Sequence, residues 1–214
     1  MKTNQDIKQG EQVVIVGISG SLREVSYTRM AVQIALEGAQ ERDAAVKMLD
    51  LRDYDLVFCD GSGDEGERAP GVLRLRQAVS EAHGVILGSP EYHGSFSGVL
   101  KNALDLMGFD QFGGKIVGLV GVSGGSMGAV NALNDLRRVA RWVHAWVIPQ
   151  QVSIPEAWNH FDDEGRLDDE ELAERLREVG RQVARFAYLH HSEQARQFMA
   201  LWEQALANPG GDLE

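Results

Sequence analysis

The stretch Ser89-Pro90-Glu91-Tyr92-His93-Gly94-Ser95-Phe96-Ser97-Gly98-Val99-Leu100-Lys101-Asn102-Ala103-Leu104-Asp105 follows the apolar run Val85-Ile86-Leu87-Gly88. It reads as a buried strand that opens into a turn and then a helix. Pro90, Gly94 and Gly98 bend the chain and keep side chains out of the way, so main-chain amides and carbonyls can approach a flat polar ligand closely.

Outward from this stretch, further runs of continuous apolarity lie at residues 13–18, 46–51 and 116–122. Unbroken rather than alternating apolarity points to parallel strands buried on both faces. Between the runs, residues 27–41, 71–82, 98–107 and 128–143 have helical patterning. Alternating strand and helix predicts a parallel sheet with helices on both faces. Residues 144–148 supply a fifth strand, which Pro149 is expected to stop. The predicted fold is α/β and flavodoxin-like: a doubly wound, five-stranded parallel sheet in the order 2-1-3-4-5, with ligands bound beyond the carboxyl ends of the strands.

The expected organisation is a polar tail at residues 1–11, one domain at 12–190 and a helical extension and tail at 191–214. Residues 60–67 read as a flexible acidic loop. Their spacing does not suit calcium, because Glu65 stands where the turn needs glycine and Gly71 where a bidentate carboxylate should be. Acidic residues at 168–171 favour a helix start, and the pattern extends to about residue 206. Phe198, Leu201, Trp202 and Leu206 form an apolar stripe on its far half, expected to pack on the same subunit or across a dimer; a ligand role for Trp202 is the alternative.

The 214 residues are 43% hydrophobic, enough for one sizeable core. A net charge of -11 and a pI near 5.0 argue against binding nucleic acid through a basic surface. The polar start and the lack of any long apolar run predict no membrane insertion and a cytoplasmic location. The single cysteine, Cys59, excludes a disulfide framework and reads as a small semi-buried residue, since Asp55 and Asp60 disfavour a redox thiolate. His83, His144, His160, His190 and His191 show no ligand spacing, so no metal site is expected.

The first strand runs into Gly17-Ile18-Ser19-Gly20-Ser21-Leu22-Arg23-Glu24-Val25-Ser26-Tyr27-Thr28. This loop can cradle a phosphate: amides at a helix start carry partial positive charge, Ser19, Ser21, Ser26 and Thr28 can donate hydroxyls, and Arg23 can pair with an oxyanion. It lacks the Walker ending and the dinucleotide glycine fingerprint. Alternatively, Ser26 is only an N-cap and the glycines only form turns. A third loop, Gly121-Val122-Ser123-Gly124-Gly125-Ser126-Met127-Gly128, follows the fourth strand. Three small-residue loops at one sheet edge describe a wall around a ligand, with phosphate in the first and a planar ring between the others.

Gly20-Ser21-Leu22-Arg23 with Ser26, then Ser89-Pro90-Glu91-Tyr92 with the run from Gly98 to Asp105, then Ser123-Gly124-Gly125, resembles the NADPH-dependent FMN reductase family over residues 12–190. That resemblance implies bound FMN, NADPH or NADH as co-substrate, two-electron reduction of a small acceptor and a homodimer or homotetramer. It also implies that Ser19, Ser21, Arg23, Ser26 and Thr28 surround the phosphate. Pro90, Glu91, Tyr92, His93 and Gly94 would border the isoalloxazine, chiefly through main-chain groups, with Ser123, Gly124 and Gly125 completing the site. Two positions depart from the family pattern. His93 stands where asparagine is common, either as a hydrogen-bonding substitute or as a group that tunes the flavin or acts on the acceptor. Ser97 stands where proline often precedes the glycine, and should loosen the turn.

Within this picture the cofactor carries the chemistry and no side-chain acid or base is named. Quinone, flavin, chromate, azo and nitro compounds are all eligible acceptors, and Arg23, Lys101 and Arg137 are candidate partners for a 2′-phosphate. A flavin-bearing electron carrier without efficient NAD(P)H turnover is the alternative. An esterase is the third class, since residues 121–125 satisfy Gly-x-Ser-x-Gly, but the chain downstream offers too few strands for the remaining triad members.

Overall fold

The computed structural model describes residues 12–162, 164, 166–192, 197, 200 and 201. Strands β1 (Val14–Ser19), β2 (Ala45–Asp50), β3 (Gly84–Tyr92), β5 (Ile116–Val122) and β6 (Trp146–Ile154) form a parallel sheet in the order β2-β1-β3-β5-β6. The short β4 (Ser95–Phe96) folds back antiparallel on β3. Counting the parallel strands alone, this is the expected 2-1-3-4-5 order.

Helices α1 (Tyr27–Gln40) and α7 (Glu170–His191) cover one face of the sheet, packing on Ile15, Ile86 and Val120. On the other face α3 (Pro70–Ser80), α4 (Gly98–Asp105) and α6 (Val130–Trp142) meet Val16, Val85, Leu87 and Leu119. Each fully buried Leu or Ile among these favours folding by about 1.5–3 kcal/mol over its exposed state. Two further helices are short, α2 (Glu65–Arg68) and α5 (Phe109–Phe112).

The start of α1 is set by Ser26, whose extended backbone and Oγ, accepting the N–H of Arg29 at 3.2 Å, make it the N-cap. Ala31, Val32, Ala35, Leu36 and Ala39 then recur at helical spacing and are fully buried. Where α1 crosses α7 the backbones touch: a Cβ on Gly38 would lie 2.0 Å from the carbonyl oxygen of Arg177, and one on Gly180 1.7 Å from that of Ala35. Both positions therefore require glycine.

Three expectations are corrected. First, β6 continues past Pro149 to Ile154. It is an edge strand, where a missing N–H need leave no ladder partner unpaired, and its pairing with β5 shifts register between Val117 and Leu119. Arg137 supports that irregularity, donating to the Ile148 carbonyl at 3.0 Å and Gln151 Oε1 at 2.8 Å. Second, the acidic loop ends in a helical turn, α2, whose first residue Glu65 is buried. Third, α7 stops at His191, with Ser192 extended at its end, rather than running unbroken from residue 168 to 206. Of the expected apolar stripe, Leu201 is exposed, while Phe198, Trp202 and Leu206 lie outside the described residues. No helix among the described residues is long and apolar enough to cross a membrane.

Candidate functional site

The parallel sheet delivers the ends of β1, β3 and β5 to one edge, and the three small-residue loops leave from there. The first loop is welded to its neighbours. Gly20 donates its N–H to the Gly88 carbonyl at 2.8 Å, and its own carbonyl accepts from Ser97 Oγ at 2.6 Å. A Cβ on Gly20 would stand 2.7 Å from that oxygen and 2.8 Å from Leu100 Cβ, so only glycine fits.

Around this point Ser19, Ser21, Ser26 and Thr28 are all buried. Ser19 Oγ is sealed from solvent without a hydrogen-bond partner among the described residues. A buried hydroxyl left alone costs about 1–3 kcal/mol, so an acceptor such as a phosphate oxygen answers a need present in the fold. Helix starts leave N–H groups without intrahelical partners; Ser26 Oγ takes that of Arg29, while those of Tyr27 and Thr28 belong to the same open first turn. Arg23 is exposed beside them, its N–H 3.4 Å from Ser21 Oγ. These residues fit a phosphate.

The middle loop is a two-residue hairpin. Tyr92 pairs with Ser95 and Glu91 with Phe96, while His93 (φ 51°) and Gly94 (φ 78°) both take positive φ. That is the signature of a type I′ turn, in which asparagine followed by glycine is strongly preferred. His93 thus occupies the left-handed corner that asparagine tolerates best, and its side chain is exposed at the hairpin tip together with Tyr92. Pro90 is buried at the end of β3. Glu91 turns its carboxylate to α6, accepting the N–H of Ala132 at 2.9 Å. Ser95 Oγ donates to Asp135 at 2.6 Å and holds that carboxyl below its usual range.

Ser97 tightens the turn instead of loosening it. Its N–H donates to Ser89 Oγ at 2.9 Å, a bond proline could not make. Its Oγ caps α4 by accepting the N–H of Leu100 at 3.2 Å while reaching Gly20. Asn102, on the next turn of α4, clamps the chain after β2 through Val57 O and the Cys59 N–H, both at 2.9 Å. Cys59 itself lies 3.4 Å from the Asp105 carbonyl and 3.8 Å from a Glu65 carboxylate oxygen.

The third loop is zipped to the segment beyond β6. Ser123 donates its N–H to Ile154 O at 2.8 Å and accepts from the Ala157 N–H at 3.1 Å; Gly125 O accepts from Glu156 at 3.3 Å. Ser123 Oγ accepts the N–H of Gly125 at 3.0 Å. Trp158, half exposed, backs Gly124, where a Cβ would come within 3.0 Å of its ring. The sequence gives no sign of Trp158 because β6 is expected there to end six residues earlier, which leaves its segment no place at this edge.

Other candidates are committed elsewhere. Lys101 pairs with Asp105 at 2.7 Å and Arg137 holds β6, so of the proposed 2′-phosphate partners Arg23 alone shows no side-chain partner among the described residues. His160 finds a carboxylate, Asp169, at 3.7 Å, a pairing the spacing did not reveal. His190 rests on Trp146, at the opposite end of the sheet from Ser123. Arg68 fills the acidic cluster, contacting Asp60 at 2.8 Å and Asp64 at 2.7 Å. No cluster of His, Cys, Asp or Glu suited to a metal occurs among the described residues.

Comparison with known proteins agrees with this architecture. An NAD(P)H-dependent FAD/FMN reductase of Geobacillus thermodenitrificans is 28% identical over 170 residues, covering 79% of this chain and 90% of that protein. An FMN-dependent NADPH-azoreductase of Staphylococcus saprophyticus is 35% identical over 155 residues, covering 71% and 79% respectively. Among solved structures, the flavoenzyme NAD(P)H:(acceptor) oxidoreductase FerB of Paracoccus denitrificans superposes with a TM-score of 0.64 at 24% identity, over 83% of this chain and 98% of that one, which establishes the shared fold. The sequence profile of the NADPH-dependent FMN reductases matches residues 13–159, the span that carries all three loops, and the chain belongs to that family.

Proposed function

We propose that this oxidoreductase holds FMN along the carboxyl edge of its sheet and uses NADPH or NADH to reduce a small acceptor by two electrons. The observation that carries the assignment is the buried Ser19 hydroxyl, without a partner among the described residues and set among Ser21, Ser26 and Thr28 at the start of α1. These hydroxyls, the first-turn amides and Arg23 would hold the phosphate. Main-chain groups of residues 90–94 and 123–125 would border the ring, since Glu91 and Ser123 use their side chains within the protein.

When bound, FMN would supply the two-electron chemistry, hydride transfer through its N5 between the nicotinamide and the acceptor. The chain contributes binding and orientation. The hairpin is tied to α6 through Ala132 and Asp135, so the exposed Tyr92 and His93 are carried on a braced support at the mouth of the site. The acceptor in this reading is a quinone, flavin, chromate, azo or nitro compound, and the working unit is residues 12–190, assembled as a homodimer or homotetramer.

Two measurements test the proposal. Purified protein should show flavin absorption near ~450 nm, or acquire it on adding FMN. It should then oxidise NADPH or NADH when FMN and a quinone are supplied. Flavin binding with negligible turnover of both nucleotides would identify an electron carrier instead; failure to bind FMN would remove the cofactor assignment.

A further inference from the structure

Arg29 lies on α1, three residues beyond its N-cap, outside the candidate site residues. Its Nη2 donates to the Arg23 carbonyl at 3.1 Å and to the Glu24 carbonyl. Its Nη1 is sealed from solvent 3.5 Å from Asp50 Oδ2, at the end of β2, and makes no hydrogen bond among the described residues. Asp50 is in turn held by Arg52, through Nε at 3.0 Å and Nη2 at 2.6 Å, and its carboxyl sits below the usual range chiefly because of that contact. One guanidinium therefore spans the end of the edge strand β2 and two successive peptide groups of the first loop.

Planar trans peptides place each C=O opposite the N–H of the next residue. With the carbonyls of Arg23 and Glu24 both drawn to Arg29, the N–H groups of Glu24 and Val25 point away from it. The same loop would otherwise be free to turn those carbonyls toward an anion, which they would repel. A partly buried cation beside the loop also adds positive potential where phosphate charge would gather.

We propose that Arg29 is a positioning residue for the FMN phosphate: anchored by Asp50, it clasps the carbonyls of residues 23 and 24 so that amides, not carbonyls, face the anion. This rests on the flavin assignment above. Arg29 differs from Arg23 in role, since Arg23 is free to meet the phosphate and Arg29 shapes the loop that meets it.

Riboflavin has the ring of FMN without its phosphate, so the two ligands separate loop shape from general folding. Fluorescence titrations of both flavins should be run on the full chain, Arg29→Gln and Arg29→Lys. Arg29→Gln should weaken FMN binding about 10- to 100-fold, the range for hydrogen bonds to charged groups, while riboflavin binding stays the same. Arg29→Lys keeps the charge but loses the two-armed donor, and should also lower the ratio of FMN to riboflavin affinity; it carries the comparison if the Gln variant does not fold. Equal losses for both flavins, or an unchanged ratio in either folded variant, would overturn the proposal while leaving the flavin assignment intact. Binding of neither flavin by the unaltered chain would overturn both.

Discussion

The carboxylate of Glu91, at the end of β3, accepts the main-chain N–H of Ala132 in the first turn of α6 across 2.9 Å. That helix has no side-chain cap of its own, because Ala129 occupies its N-cap position. Glu91 thus supplies from another element both the hydrogen bond and the negative charge that a helix start favours.

Glu91→Ala should therefore lower stability by about 1–2 kcal/mol, the usual size of a lost cap. Glu91→Gln, which keeps an acceptor but not the charge, should cost less. Urea unfolding followed by circular dichroism gives both differences; equal stability of Glu91→Ala and the parent would show that the contact contributes nothing.

Ser97→Pro should harm the fold more than Ser97→Ala. The alanine loses the cap on α4 and the bond to Gly20, at a cost of about 1–3 kcal/mol. Proline additionally removes the N–H that Ser89 accepts and leaves that buried hydroxyl without its donor. Thermal unfolding should rank parent, alanine and proline in that order.

His93→Asn should preserve NAD(P)H oxidation and hold or raise the melting temperature, because asparagine tolerates the left-handed φ of 51° better than histidine. His93→Val should destabilise by about 1–2 kcal/mol, the cost of a left-handed conformation for an ordinary side chain. A steep loss of turnover in His93→Asn, with the melting temperature unchanged, would instead assign the imidazole a part in the chemistry.

Gly180→Ala should be among the most damaging single-methyl changes in the chain. The added carbon would overlap the Ala35 carbonyl at 1.7 Å, forcing α1 and α7 apart. Overpacking of this kind costs about 1–3 kcal/mol or more, read as a fall in urea midpoint; a midpoint equal to the parent's would contradict the close crossing.

Asp60 is expected to titrate at about 2, held there first by the Ser62 hydroxyl, then by the Ser62 amide and Arg68. A carboxyl whose folded value is depressed stabilises the loop above the ordinary carboxylate range, and that contribution disappears as pH falls toward about 2. Carboxyl-carbon NMR should show the low midpoint, and Ser62→Ala should raise it; an ordinary midpoint in the parent would refute the loop geometry.

The sheet was legible because its strands are apolar on both sides and separated by amphipathic helices, a pattern that survives without knowledge of contacts. Boundaries failed where tertiary position overrides local preference. Pro149 would end a central strand, yet β6 is an edge and passes through it. Ser97 looked weaker than proline because its partners, Gly20 and Ser89, lie on other elements. The hairpin was read only as a bend, although the positive φ values of His93 and Gly94 explain why asparagine suits the first of those positions.

By itself the sequence determined the order of strands and helices, the three loops rich in glycine and serine, and the family, since these follow from residue type and short-range spacing. Tertiary structure decided which side chains remain open to a ligand. Glu91, Ser123, Lys101 and Arg137 are all polar and all near the motifs, but each finds a partner within the protein. Ser19 finds none among the described residues, and Arg29 holds carbonyls that only the folded loop presents to it. The physical reason is that hydrogen bonding is short-ranged and directional, so whether a polar group is spent or open depends on neighbours that the chain brings together only when folded.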